Sequence, residues 1–299
     1  MKPTVAVVML TFHQRANTLR ALASITESHL ARVEILLWDN GSTDGTAEAV
    51  RAQFPAVHVH YSSVNLGVAG GRNAAAALAI ERFQPDFLCF LDNDVVLTPG
   101  FFDALLDTLL NNPEVGQVQA KLRYIDRPTV LNDGGGCEIS FWLGRTRPVG
   151  IGQVDRGQYD RVTDCVIGGP AMMVRTGLFR ELGGFDLMFN PFGPEDIDFS
   201  LRLQRAGHRA LFVPSAMAFH AESHSFAPQG YSESYARVKA HHWIRFLRRH
   251  GSLLQQLGFF TIGMPLIVFR LLIREGRRGN LAAVTGSARG LLASLRRDR

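Results

Sequence analysis

Through the first 125 residues, short apolar and β-branched runs alternate with stretches whose apolar positions recur at helical spacing. The runs at 5–11, 33–38, 57–61 and 87–91 read as buried strands. Residues 15–27, apolar at Leu19, Leu22 and Ile25, and 46–53, opened by a capping Asp44 or Thr46, read as helices. Such alternation predicts a parallel sheet with crossover helices, and polar and glycine residues gather at its C-terminal strand ends, the edge where open α/β sheets bind ligands. From 126 to 165 the pattern lapses into glycine-rich sequence that reads as long loops over a cleft. Order returns in "DCVIGGPAMMVRTGLFRELGGFD", read as strand, turn and helix. A helix over 195–206 stopped by Gly207, a strand to Val213 and a short strand over 217–220 follow. One boundary, in "FAPQG" at 226–230, separates a body of 1–228 (halves 1–125 and 126–228) from a tail of 229–299.

The tail has its own pattern. Thirteen uncharged residues, LGFFTIGMPLIVF, lie between Gln256 and Arg270; as a helix they reach about 20 Å, short of a hydrocarbon core of about 30 Å. With Gly263 and Pro265 inside and arginines at 270, 274, 277 and 278 behind, this reads as an interfacial or re-entrant helix, or as one packing on the body or on a second copy in a homodimer. Charge supports the first reading. From Arg237 onward 13 Lys and Arg face two acids, Glu275 and Asp298, a balance of +11, which leaves 19 basic and 25 acidic side chains in the rest. An acidic body with a basic, partly apolar tail suits an anionic membrane surface rather than nucleic acid. At 46% apolar and 20% charged, the composition is that of a globular protein. Cys89, Cys137 and Cys165, odd in number and widely spaced, suggest a reducing compartment, with Cys89 simply core. The N-terminal apolar run is too short for a signal peptide and reads as the first strand. The expected location is the cytoplasm, at the inner face of the cytoplasmic membrane.

Candidate chemistry sits at the strand ends. In "FLCFLDNDVVL" a buried strand ends on Asp92 and Asp94; on one strand these would share a face, and two close carboxylates call for a cation such as Mg²⁺ or Mn²⁺, whose shell phosphate oxygens complete. D-x-D alone is weak, expected about once by chance in a chain of this size, and Asp196-Ile-Asp198 is a second copy. Asp39, ending "ILLWD", could accept from a nucleobase N–H or close an Asx-turn. "NLGVAGGRNAA" offers amides at a helix N-terminus with Arg72 as counter-charge for a diphosphate, or is a plain glycine turn. Glu195 and Asp196 open a helix, as caps or as a general base; Asp198 and Arg202 suggest a structural ion pair. His220, at a strand end, could complete a metal shell as neutral imidazole, and His224 reads as a loop residue. No G-x-G-x-x-G follows the first strand and no G-x-S-x-G elbow occurs, against a dinucleotide oxidoreductase and a serine hydrolase.

Seven segments in order, "VAVVMLTFHQRANTLRALASI", "ILLWDNGSTDGT", "NLGVAGGRNAA", "FLDNDVVL", "GGPAMMVRTGLFRELGGFD", "PEDIDFSLRLQRAGHR" and "FHAESHS", resemble the family 2 glycosyltransferases, particularly their bacterial rhamnosyltransferase-like branch. The resemblance implies a GT-A type α/β fold: a mostly parallel Rossmann-like sheet flanked by helices, here followed by a helical C-terminal tail. It implies that Thr11, Phe12 and Asp39 hold the base, and that Asn65, Gly67, Gly70, Gly71, Arg72 and Asn73, with Asp92 and Asn93, line the donor pocket. Asp92 would meet the ribose or the metal's water, Asp94 would bind Mg²⁺ or Mn²⁺, and His220 matches a further ligand position in an H-x-x-G-x-S pattern where Ser223 replaces the glycine. Asp196 would be the general base and Glu195 the fallback. Phe12 and His13 stand where the family has a tyrosine. The activity implied is a metal-dependent, inverting transfer of a sugar, with a lean to rhamnose, from a dTDP or UDP donor to a saccharide or lipid-linked saccharide in cell-surface polysaccharide synthesis. Two alternatives stay open: a nucleotidyltransferase, which would need a glycine- and lysine-rich loop after the first strand, and a catalytically silent membrane-surface binding protein of this fold.

Overall fold

The computed structural model describes residues 3–26, 33–221, 232–277 and 281–295. The chain divides into two compact units, one of 1–137, 148–187 and 196–222, the other of 138–147, 188–195 and 223–299.

The first unit is built on a mixed sheet. Strands β1 (Val5–Thr11), β2 (Val33–Asp39), β3 (His58–Tyr61) and β4 (Phe87–Asp92) are parallel neighbours in the order β3-β2-β1-β4. Helices α1 (Arg15–Thr26), α2 (Thr46–Gln53) and α3 (Gly67–Phe83) make the crossovers. After β4 come β5 (Val95–Leu97), α4 (Phe101–Asn111), β6 (Val115–Tyr124), β7 (Leu131–Asp133), the β8–β9 pair (Cys137–Ser140, Arg145–Pro148), β10 (Thr163–Asp164) and β11 (Ala171–Arg175). Then follow α5 (Thr176–Glu181), α6 (Glu195–Arg205) and β12 (Arg209–His220). The sheet runs β10-β12-β6-β11-β4-β1-β2-β3, and six of these eight strands point the same way, only β10 and β11 opposing them.

Both faces of the sheet are covered, which is why β1 and β4 are apolar up to their last residues, Thr11 and Asp92. Val5, Val7, Met9, Phe87, Cys89 and Leu91 enter one core with α1 and α4. Their alternates Ala6, Val8, Leu88 and Phe90 enter the other with α3, α5 and α6. Cys89 is core as expected, and burial pushes its thiol up. Small residues bring α3 close: a Cβ at Gly71 would lie 2.6 Å from Leu10 Cδ1.

Several expected boundaries change. Strands β2 and β4 each run one residue further, to Asp39 and Asp92, so these carboxylates end strands rather than begin loops. The 126–165 segment is not all loop: β10 joins the main sheet at one edge, β7 pairs with β6, and β8–β9 form a separate pair. The two strands expected within 209–220 are one, β12, with a register shift between Val213 and Met217 where Pro214, lacking an N–H, interrupts the ladder. Helix α2 starts after Gly45, with Asp44 Oδ1 accepting the Thr46 N–H at 3.2 Å. Glu27, Ser223, His224 and the expected boundary at 226–230 lie outside the described residues.

The second unit is helical. Helix α7 (Glu233–His250) is followed by α8 (Leu253–Gly258), a π-helical turn (Phe259–Gly263), α9 (Met264–Arg277) and α10 (Leu281–Leu295), with α10 packed on α7. Trp142, between β8 and β9, rests on two glycines: a Cβ at Gly258 would lie 1.9 Å from Trp142 Cζ3, and one at Gly263 2.1 Å from the Trp142 carbonyl oxygen. The thirteen-residue estimate of the tail helix is too short. Leu253–Glu275 is a continuous helical run of 23 residues, mostly exposed, about 34 Å long at 1.5 Å per residue. By length and composition alone it could cross a bilayer.

Candidate active site

One group of candidate residues lies where β1 meets β2. Their register sets Thr11 beside Asp39 and Asp39 beside Tyr61. Asp39 is fully buried; its Oδ1 accepts the Ser42 N–H at 2.8 Å, whereas Oδ2 has no hydrogen-bond partner among the described residues. The two readings of Asp39 therefore fall on different oxygens: one closes the Asx-turn, the other is a buried acceptor without a donor, a costly arrangement that a nucleobase N–H would relieve. Phe12 is exposed, its ring edge-on to His13. The Thr11 hydroxyl shares a hydrogen bond of 2.8 Å with Thr18 Oγ1, and the Asn93 amide donates to both hydroxyls at 3.0 and 3.1 Å. Thr11, Thr18 and Asn93 thus tie the Asp92–Asp94 turn to β1 and α1.

A second bracket joins the two loops beside Asp39. Asn40 Nδ2 donates to Asn65 Oδ1 at 2.8 Å, Asn40 Oδ1 accepts the Leu66 N–H at 2.9 Å, and Asn65 Oδ1 also accepts the Gly67 N–H at 2.9 Å. Gly67 stands at φ +74°, a conformation that favours glycine, where the loop turns into α3. The amides at the head of α3 form the anion-favouring end of that helix, and Gly70 and Gly71 lie within its first turns. Asn73 is used otherwise: its amide brackets Phe185, donating to the carbonyl at 2.7 Å and accepting the N–H at 2.9 Å.

At the acid end the two aspartates of "DND" separate. Strand β4 stops at Asp92 and Asn93–Asp94 form a turn, so the two carboxylates do not project as neighbours on one strand face. Arg72 donates to Asp92 Oδ1 at 2.6 Å, with Asp92 about a third exposed. Asp94 is buried, its Oδ1 3.3 Å from His220 Nε2, and His220 Nδ1 lies 3.0 Å from Asn132 Oδ1. Among the described residues no three His, Cys, Asp or Glu side chains gather as a ready metal cage. Asp94 and His220 together still offer a hard oxygen and a neutral nitrogen, a donor set suited to Mn²⁺ or Mg²⁺ when a substrate diphosphate fills the remaining positions.

Asp196 opens α6, with the Ile197 N–H donating to Oδ1 at 2.7 Å. Burial raises its carboxyl to about 6; the Arg72 guanidinium works against that rise and the Asp92 carboxylate adds to it. Arg72 is thus electrostatically shared between Asp92 and Asp196. Glu195 is buried and accepts the Gly193 N–H at 3.0 Å, bracing the turn into the helix. The second D-x-D is structural at Asp198, which is fully buried and receives Arg202 Nε at 2.8 Å, while the same guanidinium caps the Leu182 and Gly184 carbonyls at 2.7 and 2.6 Å. Thr18, Asn40 and Asn132 had no signal in the sequence beyond being polar residues near the candidate segments.

The family model described as "Glycosyltransferase like family 2" matches residues 3–237. An N-acetylglucosaminyl-diphospho-decaprenol L-rhamnosyltransferase of Mycobacterium tuberculosis is 28% identical, over 96% of this chain and 99% of its own. Among solved structures, GalNAc-T7 with UDP, GalNAc and Mn²⁺ superposes with a TM-score of 0.63 at 14% identity, over 82% of this chain and 48% of that one. The mannosyltransferase PcManGT of Pyrobaculum calidifontis, in complex with GDP-Man and Mn²⁺, gives a TM-score of 0.58 at 18% identity, over 99% and 76%. The chain belongs to the family 2-like glycosyltransferases, has their GT-A fold, and is similar along its whole length to the rhamnosyltransferase-like branch.

Proposed function

We propose that this glycosyltransferase is metal-dependent and inverting, and moves rhamnose from a dTDP or UDP donor to a lipid-linked saccharide in cell-surface polysaccharide synthesis. The observation that carries the reading is Arg72, held against Asp92 at the tip of β4 and acting on Asp196 at the head of α6. Asp39 Oδ2 accepts a base N–H, and the amides at the head of α3 with Arg72 favour the diphosphate. Asp94 and His220 hold Mg²⁺ or Mn²⁺, which when bound supplies positive charge to the departing nucleoside diphosphate. Asp196 takes the proton of the acceptor hydroxyl as its oxygen attacks the anomeric carbon. The electron pair of the broken sugar–oxygen bond leaves with the nucleoside diphosphate. One displacement from the opposite face inverts the anomeric centre, with no covalent enzyme intermediate. The rhamnose and the lipid-linked acceptor are taken from the similar mycobacterial protein, whose name states both.

The tail supports a membrane partner at the cytoplasmic face. Leu253, Leu254, Leu257, Ile262, Phe269 and Leu272 are all exposed, with Arg270, Arg274 and Arg277 along the same run, the combination of apolar surface and positive charge that binds anionic bilayers. Deleting 251–299 is expected to abolish flotation with phosphatidylglycerol vesicles; unchanged flotation refutes this anchor, and a wild-type dimer that ignores vesicles assigns the face to a second copy.

The transfer itself is tested by incubating the protein with Mn²⁺, dTDP-rhamnose or UDP-sugars and an N-acetylglucosaminyl-diphospho-polyprenol. The expected result is release of nucleoside diphosphate with a product of inverted anomeric configuration, read by NMR. Retained configuration overturns the single displacement, and no release with any donor favours a silent member of the fold.

A further inference from the structure

Strand β7 pairs with β6 through an irregularity. Leu122 faces Asp133 and Arg123 faces Leu131, so one step along β6 is matched by two along β7 and Asn132 is the extra residue of a β-bulge. The bulge breaks the alternation of the strand. Leu131 is fully buried opposite Arg123, while Asp133, opposite Leu122, reaches to Gln119, whose Nε2 donates to Asp133 Oδ2 at 2.7 Å. Asn132 is released from the ladder, buried, with Oδ1 3.0 Å from His220 Nδ1. Bulges next to active sites commonly re-aim one side chain.

That contact has a chemical consequence. An amide oxygen only accepts, so the His220 nitrogen facing it carries the hydrogen. The neutral ring is then bare at Nε2, the nitrogen 3.3 Å from Asp94 Oδ1. A lone pair and a carboxylate oxygen pointing together are reconciled by positive charge between them, a proton on Nε2 or a metal ion in its place. The partner of a ligating histidine's other nitrogen decides which nitrogen is available and how the ring is turned.

We infer that Asn132 is a positioning residue: presented by the β7 bulge, it fixes the His220 tautomer so that Nε2 faces the metal side. The inference rests on the reading of Asp94 and His220 as the metal pair, and adds a residue that touches neither metal nor sugar.

The test is Mn²⁺ affinity in the presence of UDP, measured by electron paramagnetic resonance on the full chain. Asn132→Leu, close in volume and without an acceptor, weakens Mn²⁺ roughly 10- to 100-fold, the range usual for outer-shell partners of metal ligands. Asn132→Asp, which keeps the acceptor, stays within a few-fold of wild type. In ¹⁵N-histidine NMR of the metal-free wild type, His220 carries its hydrogen on Nδ1. Wild-type affinity in Asn132→Leu, or an Nε2-protonated His220 in the wild type, overturns the inference. His220→Ala separates the two claims: if it loses Mn²⁺ while Asn132→Leu does not, the metal pair stands and the role of Asn132 falls. If His220→Ala binds Mn²⁺ normally, both fall. Should Asn132→Leu not fold, the Asp variant and the wild-type spectrum decide.

Discussion

Asp39→Asn separates a binding role from a folding role at one residue. The wild-type carboxylate is fully buried, its Oδ1 committed to the Ser42 N–H and its Oδ2 without a partner among the described residues. Asparagine keeps the acceptor for Ser42 and replaces the lone oxygen by an NH₂ group. A base N–H that met a carboxylate now meets a donor, and loss of a hydrogen bond to a charged group costs about 1.5–3 kcal/mol, roughly a 10- to 150-fold weaker Kd. In the free protein one unpartnered buried polar group replaces another of similar cost, about 1–3 kcal/mol, so the exchange is expected not to lower the Tm. The base supplies a further check: uracil and thymine present N–H at position 3 where cytosine presents an acceptor, so the preference for UDP or dTDP over CDP shrinks in the variant. Calorimetric titration of the three nucleotides with Mn²⁺, with thermal unfolding of the nucleotide-free proteins, reads all three effects. A UDP affinity within threefold of wild type, or a Tm lowered by several degrees, would show that Asp39 is a turn residue and nothing more.

Three further outcomes concern Asp196 and Asp198. If Asp196 is the base it works ionised, and with its carboxyl raised to about 6 the turnover number falls about tenfold per unit as pH drops below that value. Asp196→Asn loses about 10²- to 10⁴-fold in kcat with near-normal nucleotide affinity, and a flat pH profile between 5 and 8 would remove Asp196 from the role. Arg202→Met removes the guanidinium paired with the buried Asp198 and uncaps the Leu182 and Gly184 carbonyls. The expected loss is about 3–5 kcal/mol, seen as a Tm drop on the order of 10 °C, and a change under 2 °C would mean that another group compensates Asp198.

What could be read from the sequence, and what could not, follows from how local each cause is. The four parallel strands were legible because burial on both faces leaves only apolar residues, and Asp39 and Asp92 stood out as the first polar groups at their ends. Period-two spacing sets Asp92 and Asp94 on one face only while the strand continues, and this strand ends at Asp92. Strands within 126–165 were hidden because edge strands two to four residues long, broken by glycines, carry little periodicity. Charge does not mark an end to the tail helix at Arg270, since long arginine side chains keep their charge at the surface while the backbone stays helical. Asn132 was out of reach altogether, since its partner His220 is 88 residues away and their meeting depends on a bulge.

The central claim is that the donor diphosphate is anchored through a cation on Asp94, apart from the base that Asp196 provides. Calorimetric titration of UDP with and without Mn²⁺ into wild type, Asp94→Asn and Asp196→Asn tests it directly. The expected result is Mn²⁺-dependent nucleotide binding in wild type and Asp196→Asn, with that dependence gone in Asp94→Asn. Mn²⁺-dependent binding of undiminished strength in Asp94→Asn would contradict it.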